Sequence, residues 1–242
     1  MEILGPPLLL SLFLLLALYP FGREIVRRGI IFVDLTVAQF SALGVSLSVV
    51  LGFEGATLYL SLASSVLCGA LIGVGVHRIK HREAFVGVLY AFGWSLSLLL
   101  LSKHPRGAEE FMKVMASDVL FSGWMDVLTA GILSLIVNLL FRYIKDTEGL
   151  LKEVLFFSAL SLAVAVGVRS TGVLVVFALL LGPAFAGITL SEKKDTPLAL
   201  TLGSGGVILS LLGSYLLDLP SGILMVFLLS LIALFSSLKA LT

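Results

Sequence analysis

The stretch REIVRRGIIFVDLTVAQFSALGVSLSVVLG, from Arg23 to Gly52, is the most informative about the architecture of the chain. A cluster of arginines opens it, and an apolar run long enough to cross a bilayer follows. One acid, Asp34, and one amide, Gln39, interrupt that run. A carboxylate in hydrocarbon costs at least about 2.5 kcal/mol, so it usually faces a bundle interior or a water-filled path. The stretch therefore predicts a membrane helix with polar residues along it, entered from a basic, cytoplasmic side.

Two interpretations of the polar residues follow from their spacing. Residues 34 and 39 lie about 140° apart on a helix, whereas Asp34, Ala38 and Ser41 share a face. In the functional interpretation, Asp34, Gln39 and Ser41 line a substrate path, together with Asp118 from another element. In the structural one, Asp34 only favours the start of its helix, where a negative charge meets the positive end of the helix dipole. The residues alone leave both open.

Composition places the chain among polytopic membrane proteins. The hydrophobic fraction is 59%, the mean hydropathy is +1.13, and 13% of residues are charged, against about 25% in soluble domains. The net charge of +1 is not informative about nucleic acid, but the basic residues are spread among short loops rather than gathered on a face, so we expect no nucleic-acid partner. The single cysteine, Cys68, excludes an intramolecular disulfide. The sequence contains no phosphate-binding loop pattern and no cysteine cluster. We therefore expect no enzymatic activity and no covalently bound cofactor.

Apolar runs of spanning length recur along the chain, and they predict an all-α fold with about eight to nine membrane helices. The whole chain, residues 1–242, is expected to form one transmembrane domain. The segment from Glu109 to Gly123 is too short and too polar to span, and we expect it to be interfacial or re-entrant. A proline in the seventh run, at Gly182–Pro183, predicts a kink or break. The predicted spans are Ile3–Phe21, Ile30–Leu51, Ala56–Val76, Ala84–Leu101, Trp124–Phe141, Val154–Val168, Val173–Leu190, Leu198–Leu217 and Ile223–Leu241.

The distribution of basic residues predicts the orientation. Cytoplasmic loops of membrane proteins carry an excess of Lys and Arg. If all nine predicted runs span and the N-terminus is outside, the C-terminus is cytoplasmic. The only ones of the 16 basic residues that then fall outside are Lys103, Arg106, Lys113 and Arg169. We therefore expect a multi-pass protein of the cell membrane with this orientation, its apolar surface facing the lipid bilayer.

Several motifs resemble the membrane permease subunit of ABC transporters for divalent metals, the family that moves zinc, manganese or iron. The family's second helix reads roughly G-D-x-x-x-H-[AS]-x-x-x-G, and residues 33–44 are similar to it. Its glycine-proline-alanine block resembles residues 172–186, and its D-x-P-x-G resembles Asp218–Gly222. The resemblance implies a permease that works as a homodimer around a central pathway. It also implies a divalent metal ion as substrate, a separate cytoplasmic ATP-binding subunit and an extracytoplasmic metal-binding protein.

The chain departs from the family pattern where the family binds metal. The family's histidine falls on Gln39, and its acid falls on Leu35, one position after Asp34. An amide oxygen is a poorer ligand than imidazole for zinc and suits harder ions better. The resemblance therefore implies a metal site at Asp34 and Gln39 whose chemistry differs from the family's.

A second departure concerns the ATPase. The family usually has a longer loop before the sixth run, with a segment that docks on the ATPase, whereas this chain has only Arg142 to Glu153. Either another loop does the docking, for which the residues Ser191, Glu192, Lys193 and Lys194 are the candidates, or coupling has weakened. The alternatives are an ATP-independent ion channel or carrier on the same scaffold, and a structural membrane subunit without transport.

Overall fold

The computed structural model describes residues 4–102, 119–191 and 193–239. Within these ranges nine helices are long and apolar enough to cross a membrane, which confirms the predicted all-α membrane fold. Two short 3₁₀ turns, Glu54–Ala56 and Val119–Phe121, accompany them. In chain order the helices are α1 (Gly5–Arg28), α2 (Val33–Val50), α3 (Thr57–Arg78), α4 (Arg82–Leu101), α5 (Trp124–Lys145), α6 (Gly149–Thr171), α7 (Val173–Leu190), α8 (Asp195–Leu217) and α9 (Ser221–Lys239).

Helix α2 is the most enclosed of the nine. Within its apolar window 72% of the residues are buried, against 22% for α4 at the periphery. It packs against α3, α4 and α6. Because α2 is enclosed by protein, its polar side chains are sheltered from lipid, as expected for polar groups at membrane depth.

The most extensive helix pair is α3 with α6, and two glycines of α3 allow its close approach. A Cβ atom at Gly69 would lie 2.5 Å from the carbonyl oxygen of Phe157, and one at Gly73 would lie 2.6 Å from the Cα atom of Val154. Both distances are shorter than van der Waals contact. The Gly-x-x-x-Gly pattern therefore packs helices within the bundle, as small residues do in membrane proteins.

Close backbone contacts also join α1, α7 and α8. Gly22 of α1 lies directly against the carbonyl of Leu180 in α7, and Gly187 of α7 lies against the start of α8 at Asp195. Helix α7 runs through Pro183 without a break, so the predicted interruption at Gly182–Pro183 does not end the helix. A helix tolerates proline within a membrane bundle where neighbouring helices and local adjustments satisfy the freed backbone groups.

A single residue, Gly172, joins α6 and α7. Its φ of 84° lies in the region that favours glycine, so the chain reverses without a loop. The predicted span Val154–Val168 was too short, since α6 covers Gly149–Thr171. Polar residues at both of its ends remain helical because the backbone hydrogen bonds continue through them.

Ion pairs identify one end of the bundle. The end of α1, through Arg23, Arg27 and Arg28, bonds to Glu153, in the first turns of α6, and to Asp195, the first residue of α8. We call this end of the molecule, with the connections that follow α1, α3, α5 and α7, the basic end. It carries most of the loops whose Lys and Arg content predicts a cytoplasmic location.

Candidate functional site

Asp34 lies in the first turn of α2, inside the bundle. It is 2% exposed, and its Oδ1 has no hydrogen-bond partner among the residues that the structure describes. Buried polar atoms without a partner are uncommon and usually have a functional or structural explanation. The position fits both interpretations of Asp34, since it is at once a helix start and a sheltered acceptor.

Ser41 faces α3 from the same side of α2 as Asp34. Its Oγ lies 2.7 Å from the Oγ of Ser61. A different face of α2 meets α4, because Thr36 donates to the carbonyl of Val86 at 3.2 Å. The hydroxyls of Ser41 and Thr36 thus find hydrogen-bond partners across helix interfaces, as polar groups do inside membrane bundles.

Gln39 is 2% exposed and lies against α4. A Cβ atom at Gly93 would lie 3.3 Å from the Cβ of Gln39, which places the amide at the α2–α4 contact. Asp34 and Gln39 are therefore both buried in α2 but on different faces, in keeping with their separation of about 140°. One copy of the chain does not direct both side chains along the same face of α2.

Within the described ranges no cluster of acidic, histidine and cysteine side chains marks a metal site. No three side chains of the types His, Cys, Asp and Glu come together there. Asp118, predicted to lie on the substrate path, falls outside the described residues, as does most of the segment from Glu109 to Gly123.

A buried carboxylate organises the basic end. Oδ2 of Asp195 accepts a hydrogen bond from Nε of Arg23 at 2.6 Å and one from Nη2 of Arg27 at 3.1 Å. The other oxygen, Oδ1, accepts from the backbone N–H of Thr196 at 2.7 Å. Tyr19 donates to the hydroxyl of Thr196 at 2.9 Å. We call these five residues the Asp195 cluster; it ties the end of α1 to the start of α8.

Arg28 makes a second tie at the same end. It pairs with Glu24 of its own helix at 2.8 Å and with Glu153 of α6 at 2.5 Å. Its guanidinium also stands 4.9 Å from the ring centroid of Phe156, within the range of a cation–π interaction. The arginines of α1 therefore hold this helix to α6 and α8, in addition to indicating the orientation of the chain in the membrane.

The candidate docking turn, residues 191–194, precedes Asp195 directly. Lys193 and Lys194 are exposed, and Ser191 accepts a hydrogen bond from the backbone of Lys194 at 3.4 Å. Glu192 lies outside the described residues. The turn therefore lies next to the Asp195 cluster, in which the start of α8 is bonded to the end of α1.

Sequence reasoning missed the role of Asp195. Its arginine partners are 172 and 168 positions away along the chain, and no local pattern encodes so distant a contact. One signal was present: Arg23 and Arg27 are spaced i, i+4 and share a face of α1, which indicates a common acidic partner.

The chain is similar to a known family over part of its length and to individual proteins over more of it. Residues 148–240 match the ABC 3 transport family. The manganese transport system membrane protein MntB of Synechocystis sp. is 28% identical over 169 residues, covering 61% of this chain and 54% of that protein. MntC of Listeria monocytogenes serovar 1/2a, also described as a manganese transport system membrane protein, is 24% identical over 226 residues and covers 85% of this chain and 79% of its own length. The chain therefore spans about half of the first relative and more of the second.

A solved structure shares the fold. PsaBC from Streptococcus pneumoniae, determined in complex with Fab, contains a chain that superposes with a TM-score of 0.76 at 17% identity. The match covers 98% of this chain and 91% of that one. The helical arrangement is therefore shared with a solved structure over nearly the whole length of this chain.

Proposed function

We propose that this chain is a membrane permease subunit of the metal-transporting ABC family and that it carries manganese across the cell membrane. The observation that carries the proposal is the similarity to two membrane proteins of manganese transport systems. The residue chemistry supports it, because Asp34 and Gln39 offer oxygen ligands, which suit manganese better than zinc. The subunit itself performs transport and no chemical reaction.

The working unit in this proposal is a homodimer with two copies of a cytoplasmic ATP-binding subunit. An extracytoplasmic metal-binding protein exchanges the ion with the outer face. The N-terminus lies outside and the C-terminus in the cytoplasm, so that the basic end faces the ATPase. In each copy Asp34, Gln39 and Ser41 of α2 are proposed to line the substrate path, Asp34 and Ser41 from one face of the helix and Gln39 from another.

Docking of the ATPase is assigned to the turn at residues 191–194. The exposed Lys193 and Lys194 are suited to contact an acidic partner surface. The Asp195 cluster fixes this turn to α1, and α1 leads to α2 through the short connection 29–32. Movement of the turn is thereby passed to the helix that carries Asp34 and Gln39. An ATP-independent channel or carrier is not favoured.

Gentle extraction of the tagged protein from its native membrane tests the assignment. We expect an ATP-binding subunit to co-purify in equimolar amount, and a Lys193→Glu, Lys194→Glu variant to lose it. Recovery of intact permease dimers without an ATPase would contradict the proposed coupling.

The identity of the transported metal is tested by placing a histidine at Gln39, where the family has its histidine. In reconstituted vesicles the parent protein should take up manganese in preference to zinc. The variant Gln39→His should shift that preference towards zinc, because imidazole is the better zinc ligand. An unchanged ratio of manganese to zinc uptake would remove Gln39 from the path.

A further inference from the structure

The connection between α3 and α4 is a strip of exposed basic residues. Every residue from His77 to Arg82 is exposed. Among the described residues Arg78, Lys80 and Arg82 form no ion pair, in contrast to the arginines of α1, which all do. The charge of this strip is therefore not used inside the fold.

The strip lies at the depth of lipid headgroups. Helix α3 has 22 residues and α4 has 20, which makes them about 33 and 30 Å long. The hydrocarbon core is about 30 Å thick. The three residues between the two helices, 79–81, are too few to carry the cations away from the membrane surface.

Apolar stripes lead along both helices to the strip. On α3, Leu67, Leu71 and Val74 are 60%, 43% and 37% exposed, and their spacing continues to Arg78, four residues further along the same face. This stripe is suited to lie along an acyl chain below the cation.

The stripe on α4 begins at Val88, about 1.7 turns beyond Arg82 at the end of the strip. Val88, Phe92 and Leu99 are 68%, 54% and 68% exposed, and they follow one face of the least buried helix. Apolar side chains below and cations at the headgroup level are the combination that a charged lipid requires.

From these observations we propose that the strip and the two stripes form a binding site for anionic phospholipid. The phosphate of the headgroup contacts Arg78, Lys80 and Arg82, and the acyl chains lie along α3 and α4. The site depends on the membrane placement of the helices and not on the proposed transport function.

The test measures retained lipid. Protein reconstituted in phosphatidylcholine vesicles containing phosphatidylglycerol is extracted gently, and bound lipid is identified by native mass spectrometry. We expect phosphatidylglycerol to be enriched over phosphatidylcholine. The variant Arg78→Gln, Lys80→Gln should reduce that enrichment about ten- to thirty-fold. The control Arg142→Gln, Lys152→Gln removes the same charge from the basic end and should leave the enrichment unchanged.

A second measurement does not depend on the variants. Enrichment by the parent protein should fall when the salt concentration is raised to about 1 M, where charges are screened within about 3 Å. Equal retention of the two lipids, or equal loss in both variants, overturns the proposal. Loss of a co-purifying ATPase by the Arg78→Gln, Lys80→Gln variant with unchanged lipid enrichment would assign the strip to protein docking instead.

Discussion

At the scale of single residues, we expect Asp34 to contribute to metal transport and little to the stability of the fold. Its carboxylate is enclosed, and Oδ1 finds no hydrogen-bond partner in the described part of the chain. An acid at a helix start contributes about 0.3–1 kcal/mol, whereas enclosing a charge is costly. The two effects oppose each other, so the fold has little to lose if the charge is removed.

We therefore expect Asp34→Asn to lower metal uptake strongly in reconstituted vesicles while the free energy of unfolding changes by less than about 1 kcal/mol. Uptake and thermal unfolding in detergent are measured on the same preparation. Normal uptake in a stably folded variant would leave Asp34 with the structural role alone.

Asp195 should show the opposite behaviour. Its side chain is 6% exposed and holds two arginines that are 34% and 44% exposed. Asp195→Asn keeps the shape but removes the charge, and we expect a loss of about 1–3 kcal/mol in stability, because the partners are partly solvated. Thermal unfolding measures it, with Arg142→Gln, an exposed residue outside any described ion pair, as the control. Equal melting of the two variants would show that the cluster adds no stability.

How far the sequence predicts these residues depends on the range of their contacts. An acid inside an apolar run already indicates an enclosed position, so the burial of Asp34 could be predicted. The face of Gln39 is set by its contact with α4, and the partners of Asp195 by the packing of α1 on α8. Local spacing predicts that Gln39 lies on a different face of α2 from Asp34, but it does not predict which helix covers that face or which residues pair with Asp195.

At the scale of elements, the glycines of α3 predict where it packs closely on another helix, whereas its hydropathy predicts only that it can span the membrane. A side chain at Gly69 would meet the Phe157 carbonyl, whereas a Cβ at Gly87 in α4 meets nothing within 4 Å. Hydropathy predicted the helices themselves, because spanning length and apolar content suffice. It misplaced the ends of α6, where polar residues continue the helix. It also did not indicate which helices pack against each other.

We expect Gly69→Ala to lower stability by about 1–3 kcal/mol through overpacking of α3 on α6. Gly87→Ala, its matched control in an open position, should be neutral or slightly stabilising, since alanine favours a helix over glycine. Thermal unfolding in one detergent compares the two. A neutral Gly69→Ala would mean that α3 and α6 can separate without cost.

At the scale of the whole molecule, cysteines introduced at the two ends of the bundle test its orientation in the membrane. Cys68 is buried and should react poorly with a membrane-impermeant maleimide. Phe53 is 60% exposed between α2 and α3, and Lys80 lies at the basic end. In intact cells we expect Phe53→Cys to be labelled and Lys80→Cys to be labelled only after the membrane is opened. The reverse pattern would invert the proposed topology.

The single-residue joint between α6 and α7 has a consequence for biogenesis. Gly172 leaves almost no polar chain to be carried through the membrane during synthesis, apart from the last turn of α6 with Arg169. The two helices are therefore suited to enter the bilayer one directly after the other. The segment that matches the ABC 3 transport family, residues 148–240, would then enter the bilayer with these two helices first.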